Sequence, residues 1–176
     1  MGGVDKAMLL VGGVTLLDRV LRAAEPLCDR LVVVGPVRPT DVAGVTFVSE
    51  AEPGGGPVPA VLAGLAVVPD ADVVLVLAAD LPLLTSADLR RLLDALGDAD
   101  AAAADDEGGP NPLLAAYRTP ALMALGAGEP ARRLLPLGTV IVDLGPATLN
   151  VNRPDDLAAA ETALPTVQGS PVQVDP

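Results

Sequence analysis

The chain of 176 residues has no histidine and no tryptophan, and a single cysteine, phenylalanine, tyrosine and lysine. Without histidine, no His-based catalytic triad and no His-ligated metal site can be built. The single cysteine, Cys28, excludes an internal disulfide and any multi-cysteine metal site. Aromatic side chains on which bases could stack are missing, and the formal net charge is -12. A nucleic-acid binder needs a basic groove and stacking faces, so that class is excluded too. No apolar run approaches the roughly 20 residues needed to span a bilayer, and the first residues do not resemble a signal peptide. The expectation is a soluble, cytoplasmic protein without a membrane partner.

What the chain does contain is aliphatic. Hydrophobic residues make up 51% of it, mostly Ala, Val and Leu, enough for one domain with a real core. Thr15 can cap a helix running to about Leu27, and Leu31 to Val34 and Val45 to Val48 are short apolar strands. A helix over about Val58 to Val67 precedes a third strand from Val73. Thr85 or Ser86 opens the next helix, with Asp88 in its first turn and Leu89, Leu92, Leu93 and Leu96 as its stripe. This alternation of helix and strand predicts an α/β fold with a mostly parallel central sheet. Residues 99–104 are weakly strand-like, residues 105–109 form a solvated turn, and Leu113 to Tyr117 makes an antiparallel partner strand. Helical segments near 119–126 and 129–135 lead to a strand at Thr139 to Val142. A last helix has Pro154 at its first position. The domain is expected to end near residue 163, with a disordered tail over 164–176.

Three stretches carry candidate chemistry. Val73 to Leu84 runs from an unbroken aliphatic strand into Asp80-Leu81-Pro82. A strand apolar on both faces suits a sheet covered by helices, and a carboxylate at its carboxyl end lies where open α/β folds place their ligand crevice. A strand-end Asp can equally serve as a local cap. Glu50 to Pro59 holds three glycines between prolines, a loop that must hug something, move, or simply connect. Ten of the eleven basic residues are arginine, and Lys6 stands alone beside Gly2-Gly3-Val4-Asp5. Lysine is a compact point charge suited to phosphate, whereas arginine is a planar fork.

Four pieces in this order resemble the nucleotidyltransferases that attach a nucleotide to the molybdenum cofactor. They are Met1-Gly2-Gly3-Val4-Asp5-Lys6, the Gly54–Pro57 loop, Ala79-Asp80-Leu81-Pro82, and Asn150-Val151-Asn152-Arg153-Pro154-Asp155-Asp156-Leu157. The likeness spans residues 1 to 163. Asn150-Val151-Asn152 and Asn111-Pro112 are similar to the guanylyltransferase branch, since the cytidylyltransferase branch usually carries aspartates before the Arg-Pro piece. The resemblance implies a Rossmann-like three-layer nucleotidyltransferase fold. It also implies that the terminal phosphate of molybdopterin attacks the α-phosphate of GTP and releases pyrophosphate. Such a phosphate is already ionised near neutral pH, which agrees with a histidine-free chain. By the same likeness Asp80 holds Mg²⁺, Lys6 neutralises the nucleotide phosphates, and Asn150 and Asn152 serve the pterin side. Gly35 and Glu50 fall on the family's nucleotide-binding positions after two successive strands. Other cofactor-biosynthesis proteins, or the molybdoenzyme that receives the product, are the macromolecular partners implied.

There are departures. Family members begin with a strand and Leu-Ala-Gly-Gly-X-X-X-Arg before the Met-Gly-Gly-Val-Asp-Lys piece, whereas this sequence begins at that Met. The resemblance therefore predicts a chain with a misassigned start or a truncated copy, in which two neighbouring strands have unpaired edges and the core has a gap. A cytidylyltransferase or another small-molecule nucleotidyltransferase is the alternative within this chemistry. A non-catalytic homologue acting as a binding partner is the alternative outside it. A dinucleotide-binding oxidoreductase is disfavoured, because no Gly-X-Gly-X-X-Gly follows any predicted strand.

Overall fold

In the computed structural model, residues 5–50, 54–126 and 128–164 are described. Lys6–Met8 form a single 3-10 turn, after which β1 (Leu10–Val11) and β2 (Val14–Thr15) pair as a small antiparallel hairpin. Gly12 and Gly13 both have positive φ, the backbone a two-residue turn of this twist demands. A side chain on Gly12 would also collide with Leu164 and Arg19. The Thr15 hydroxyl then accepts the Asp18 N–H and starts α1 (Leu16–Ala24). This helix ends earlier than its apolar stripe suggests. Pro26 has no N–H to donate, and Glu25–Leu27 tighten into a 3-10 turn.

Strands β3 (Leu31–Val34) and β4 (Val45–Val48) form a parallel pair. Helix α2 (Pro57–Leu65) leads to β5 (Val73–Leu77), and α3 (Ser86–Leu96) is opened by a capping box in which Thr85 and Asp88 exchange hydrogen bonds. Strands β6 (Ala101–Asp106) and β7 (Gly109–Arg118) form an antiparallel hairpin, so the acidic stretch predicted as a solvated turn is largely strand, with the turn confined to Glu107 and Gly108. The remaining elements are α4 (Thr119–Met123), a 3-10 turn at Ala131–Leu134, β8 (Val140–Val142), a 3-10 turn at Gly145–Thr148, and α5 (Pro154–Ala163). The helix expected near 129–135 is thus a single 3-10 turn. The expected tail, from residue 165 onward, lies outside the described residues.

The larger sheet has the order β5-β7-β6-β8. Because β7 is antiparallel to both β5 and β6, and β6 is parallel to β8, three of these strands point one way and β7 alone opposes them. Alternation along the strands sorts side chains between two layers of helix. Val73, Leu75, Leu77, Ala102, Ala104, Leu114 and Ala116 face α1 and α3. Val74, Val76, Ala101, Ala103, Ala115 and Tyr117 face α2, α4 and the 131–134 turn. The molecule is therefore a three-layer α/β fold with a Rossmann-like arrangement. A third apolar cluster, Val11, Leu16, Val151 and Ala160, docks α5 on the N-terminal hairpin. No helix among the described residues is long and apolar enough to cross a membrane.

Among the described residues β3 pairs only with β4, and β5 only with β7, so each keeps one unpaired edge. A cavity of about 1060 Å³ lies between them and is lined by all of Leu31–Val34 and all of Val73–Leu77.

Candidate functional site

Asp80 is set by what surrounds its backbone. The chain turns sharply after β5, and Leu81 and Pro82 are fully buried, which pins the turn from one side. From the other side the Val151 N–H donates to the Asp80 carbonyl at 3.0 Å. That bond joins the end of β5 to the Asn150–Asn152 segment, about 70 residues away in sequence. Burial raises the Asp80 carboxyl above its ordinary value, and its own backbone N–H and the nearby Lys6 charge offset part of that penalty. A half-buried carboxylate with incomplete compensation is a group that a cation would stabilise.

Lys6 reaches the same place from the N-terminal turn. Its Nζ donates to Asn152 Oδ1 at 3.0 Å. Asp156, in the first turn of α5, accepts the Asn152 and Arg153 N–H groups at 2.8 and 2.7 Å, and these two bonds hold its carboxyl below the ordinary range. The residues before α5 are therefore fixed by the helix itself, and Asn152 is aimed at Lys6 as a consequence. Asn150 is held separately. Its Nδ2 donates to Asp106 Oδ2 at 3.3 Å and to the Thr148 carbonyl at 3.1 Å.

Asp106 has a role that sequence reasoning missed. The same Oδ2 accepts Asn111 Nδ2 at 3.2 Å, so one carboxylate at the tip of the β6–β7 hairpin ties Asn111 to Asn150. Asn111 in turn accepts the Leu113 N–H, and the Leu113 carbonyl accepts the Ala78 N–H at 2.7 Å, two residues before Asp80. The acidic run 105–107 looked like a solvated turn. Only the alternation of β6, which sets one of its two aspartates toward Asn111, could have distinguished Asp106.

The other two predicted positions stand just after β3 and β4. Gly35 follows β3 at φ 142, and its N–H donates to the Val48 carbonyl at 2.7 Å, setting the ends of β3 and β4 side by side. A side chain there would press on Arg38, whose guanidinium pairs with Asp5 at 2.7 Å and holds the Asp5 carboxyl low. Glu50 follows β4 and lines the cavity together with Gly54, Gly56 and Ala79. Its Oε2 is buried and has no hydrogen-bond partner among the described residues. The structure thus joins Lys6 to Asn152 and Asp80 to the Asn150–Asn152 segment, while Gly35 and Glu50 stand after β3 and β4, Gly35 against Arg38 and Glu50 in the cavity wall with Ala79.

Among the described residues no three metal-ligating side chains converge, so an all-protein metal cage is not formed. Asp80 is instead suited to an ion that brings most of its ligands with it, as Mg²⁺ does with phosphate oxygens and water.

The model of the MobA-like NTP transferase domain matches residues 1–140. The chain is 36% identical over 126 residues to a molybdenum cofactor guanylyltransferase of Rhodopseudomonas palustris, covering 66% of this chain and 60% of that relative. It therefore spans about three fifths of the length of the curated relatives it matches. Among solved structures, it is similar to the molybdopterin-guanine dinucleotide biosynthesis protein A of Archaeoglobus fulgidus, at 23% identity and a TM-score of 0.67, over 91% of this chain and 90% of that one. The 2-C-methyl-D-erythritol 4-phosphate cytidylyltransferase of Thermus thermophilus has a TM-score of 0.68 at 22% identity, over 89% and 92% of the two chains. These two likenesses speak for the fold.

Proposed function

Because the chain belongs to the MobA-like NTP transferase family, we propose that it transfers GMP from GTP to the terminal phosphate of molybdopterin, with Mg²⁺ as cofactor. The observation that supports this reading most is the meeting of Lys6, Asp80 and the two asparagines at the carboxyl end of β5, through the Asp80–Val151 and Lys6–Asn152 bonds. A phosphate monoester oxygen attacks the α-phosphorus, the bond to the β-phosphate oxygen breaks, and pyrophosphate leaves. The nucleophile is already ionised, so the protein's work is positioning and charge neutralisation. Lys6 offers three donors and can exchange its bond to Asn152 for phosphate oxygens. Asp80 would hold Mg²⁺, which when bound draws charge from the phosphates and orients them. Gly35 and Glu50 are assigned to the nucleotide, where Glu50 Oε2 awaits a donor, and Asn150 and Asn152 to the pterin side.

Calorimetric titration with Mg²⁺·GTP, with Mg²⁺·CTP as control, tests the assignment. Binding of GTP alone supports it, and preference for CTP replaces it with a cytidylyl activity. Binding of neither points to a non-catalytic relative.

A further inference from the structure

The two asparagines before α5 are held by groups of opposite charge. A side-chain amide has an acceptor oxygen at one end and a nitrogen with two hydrogens at the other. Whatever binds one end therefore decides what the other end offers. Both Asn150 Nδ2 hydrogens are committed, one to Asp106 Oδ2 at 3.3 Å and one to the Thr148 carbonyl at 3.1 Å. Turning this amide over would set its oxygen against a carboxylate and a carbonyl, neither of which has a hydrogen to give. The free end of Asn150 is its Oδ1, which accepts no hydrogen bond among the described residues. Asn152 is held the other way round, since Lys6 donates to its Oδ1.

Asp106 is itself fixed within the protein. Its Oδ1 accepts the Glu107 N–H at 2.7 Å, and its Oδ2 also takes Asn111 Nδ2 at 3.2 Å. The Asn111 amide cannot turn over either, because the Leu113 N–H occupies its oxygen at 2.9 Å. Pairing of Asp106 with Gly109 at the end of the β6–β7 ladder holds the backbone beneath the carboxylate. One carboxylate oxygen thus orients two amides.

On the reading that places Asn150 at the pterin, we propose that Asp106 is a positioning residue for the acceptor substrate. It fixes Asn150 as a hydrogen-bond acceptor, with Oδ1 offered to an N–H of the pterin ring. A heterocycle with an unprotonated ring nitrogen at that point would face an oxygen lone pair and be rejected. Guanine carries the same amino–lactam edge as a pterin, so the test separates the two sources.

Molybdopterin and Mg²⁺·GTP are titrated separately into the full chain and into Asp106→Asn, Asn150→Ala and the double variant. Asp106→Asn keeps the size of the side chain and removes the charge that orients Asn150. It is expected to weaken molybdopterin binding at least about tenfold, the scale of a hydrogen bond whose partner is left unpaired. Affinity for Mg²⁺·GTP is expected to stay unchanged, which also shows that the variant is folded. In the Asn150→Ala background the same substitution should have no further effect, because Asp106 acts through Asn150. The side-chain amide hydrogens of Asn150 should exchange slowly in the ligand-free parent and fast in Asp106→Asn. Unchanged molybdopterin binding, additive losses in the double variant, or fast exchange in the parent would overturn the inference and leave the transferase reading standing. A loss confined to GTP binding would move Asn150 to the guanine and equally overturn it. A parent chain that binds no molybdopterin would remove the inference together with the acceptor reading on which it rests.

Discussion

The β6–β7 hairpin and the β3–β5 edges form an instructive contrast. Ala101 to Ala104 are 0% exposed, and Leu114 to Tyr117 are equally buried. Leu31 to Val34 and Val73 to Leu77 are more hydrophobic by composition, yet each of them is only partly buried. Alanine is the weaker hydrophobe, so burial here follows from neighbours rather than from hydrophobicity. The hairpin has a strand on each side and a helix on each face. Among the described residues the valine strands have a partner on one side only. In the closed half the single tyrosine is tied down as well: Tyr117 OH donates to the Pro112 carbonyl at 2.9 Å, and burial raises its phenol well above its ordinary value. In the open half Cys28 faces the cavity, its thiol raised by burial and then by Asp29.

The seam between these halves is where Asp80 lies, and it offers the largest expected effect. Asp80→Asn is expected to lower GMP transfer by about 10²–10³-fold, the scale of losing one preorganised charge-stabilising group. Pyrophosphate release with GTP and molybdopterin measures it, and undiminished turnover would remove Asp80 from the metal role. Next in size, Leu114→Ala in the closed half is expected to cost about 2–5 kcal/mol. Leu75→Ala on the open edge should cost less than half of that, because part of its surface is already wet. Urea melts of the two variants test the contrast directly, and equal costs would show that the valine edge is as well packed as the hairpin.

Lys6→Met is expected to weaken Mg²⁺·GTP binding by about ten- to a hundredfold, as for loss of a charge-assisted hydrogen bond. Calorimetry reads that change without requiring turnover. Thr85→Ala breaks the capping box of α3 and should cost about 1 kcal/mol. The smallest effect is one of pH. Burial raises the Asp80 carboxyl, so ionising it opposes folding, and this burden is absent below the ordinary carboxylate range. Asp80→Asn should therefore melt slightly above the parent at pH 7, and the difference should close as pH falls through that range. A variant that melts lower at pH 7 would contradict the desolvated setting described for Asp80.

Much of the fold was legible because it rests on local physics. The Thr15 and Thr85–Asp88 caps, the Gly12-Gly13 turn and the aliphatic strands each follow from a few adjacent residues, and the structure has them where those residues stand. Misreadings occurred where local signals compete. Residues 129–135 shrink to one 3-10 turn beside Gly128 and Pro130, and the acidic run 105–106 continues as strand because β7 pairs with it. Lys6 and Asp80 stood out by residue type and context, whereas Asp106 did not, since its partners Asn111 and Asn150 come to it only across the folded sheet.

The sequence alone determined most element types, the caps and the Gly12-Gly13 turn, and the absence of histidine chemistry, since these depend on residue identity and near neighbours. Tertiary structure alone decided which carboxylate ties two asparagines together, and that Asp80 meets the Asn150–Asn152 segment. Those outcomes depend on contacts between residues far apart in the chain, and no local propensity encodes them.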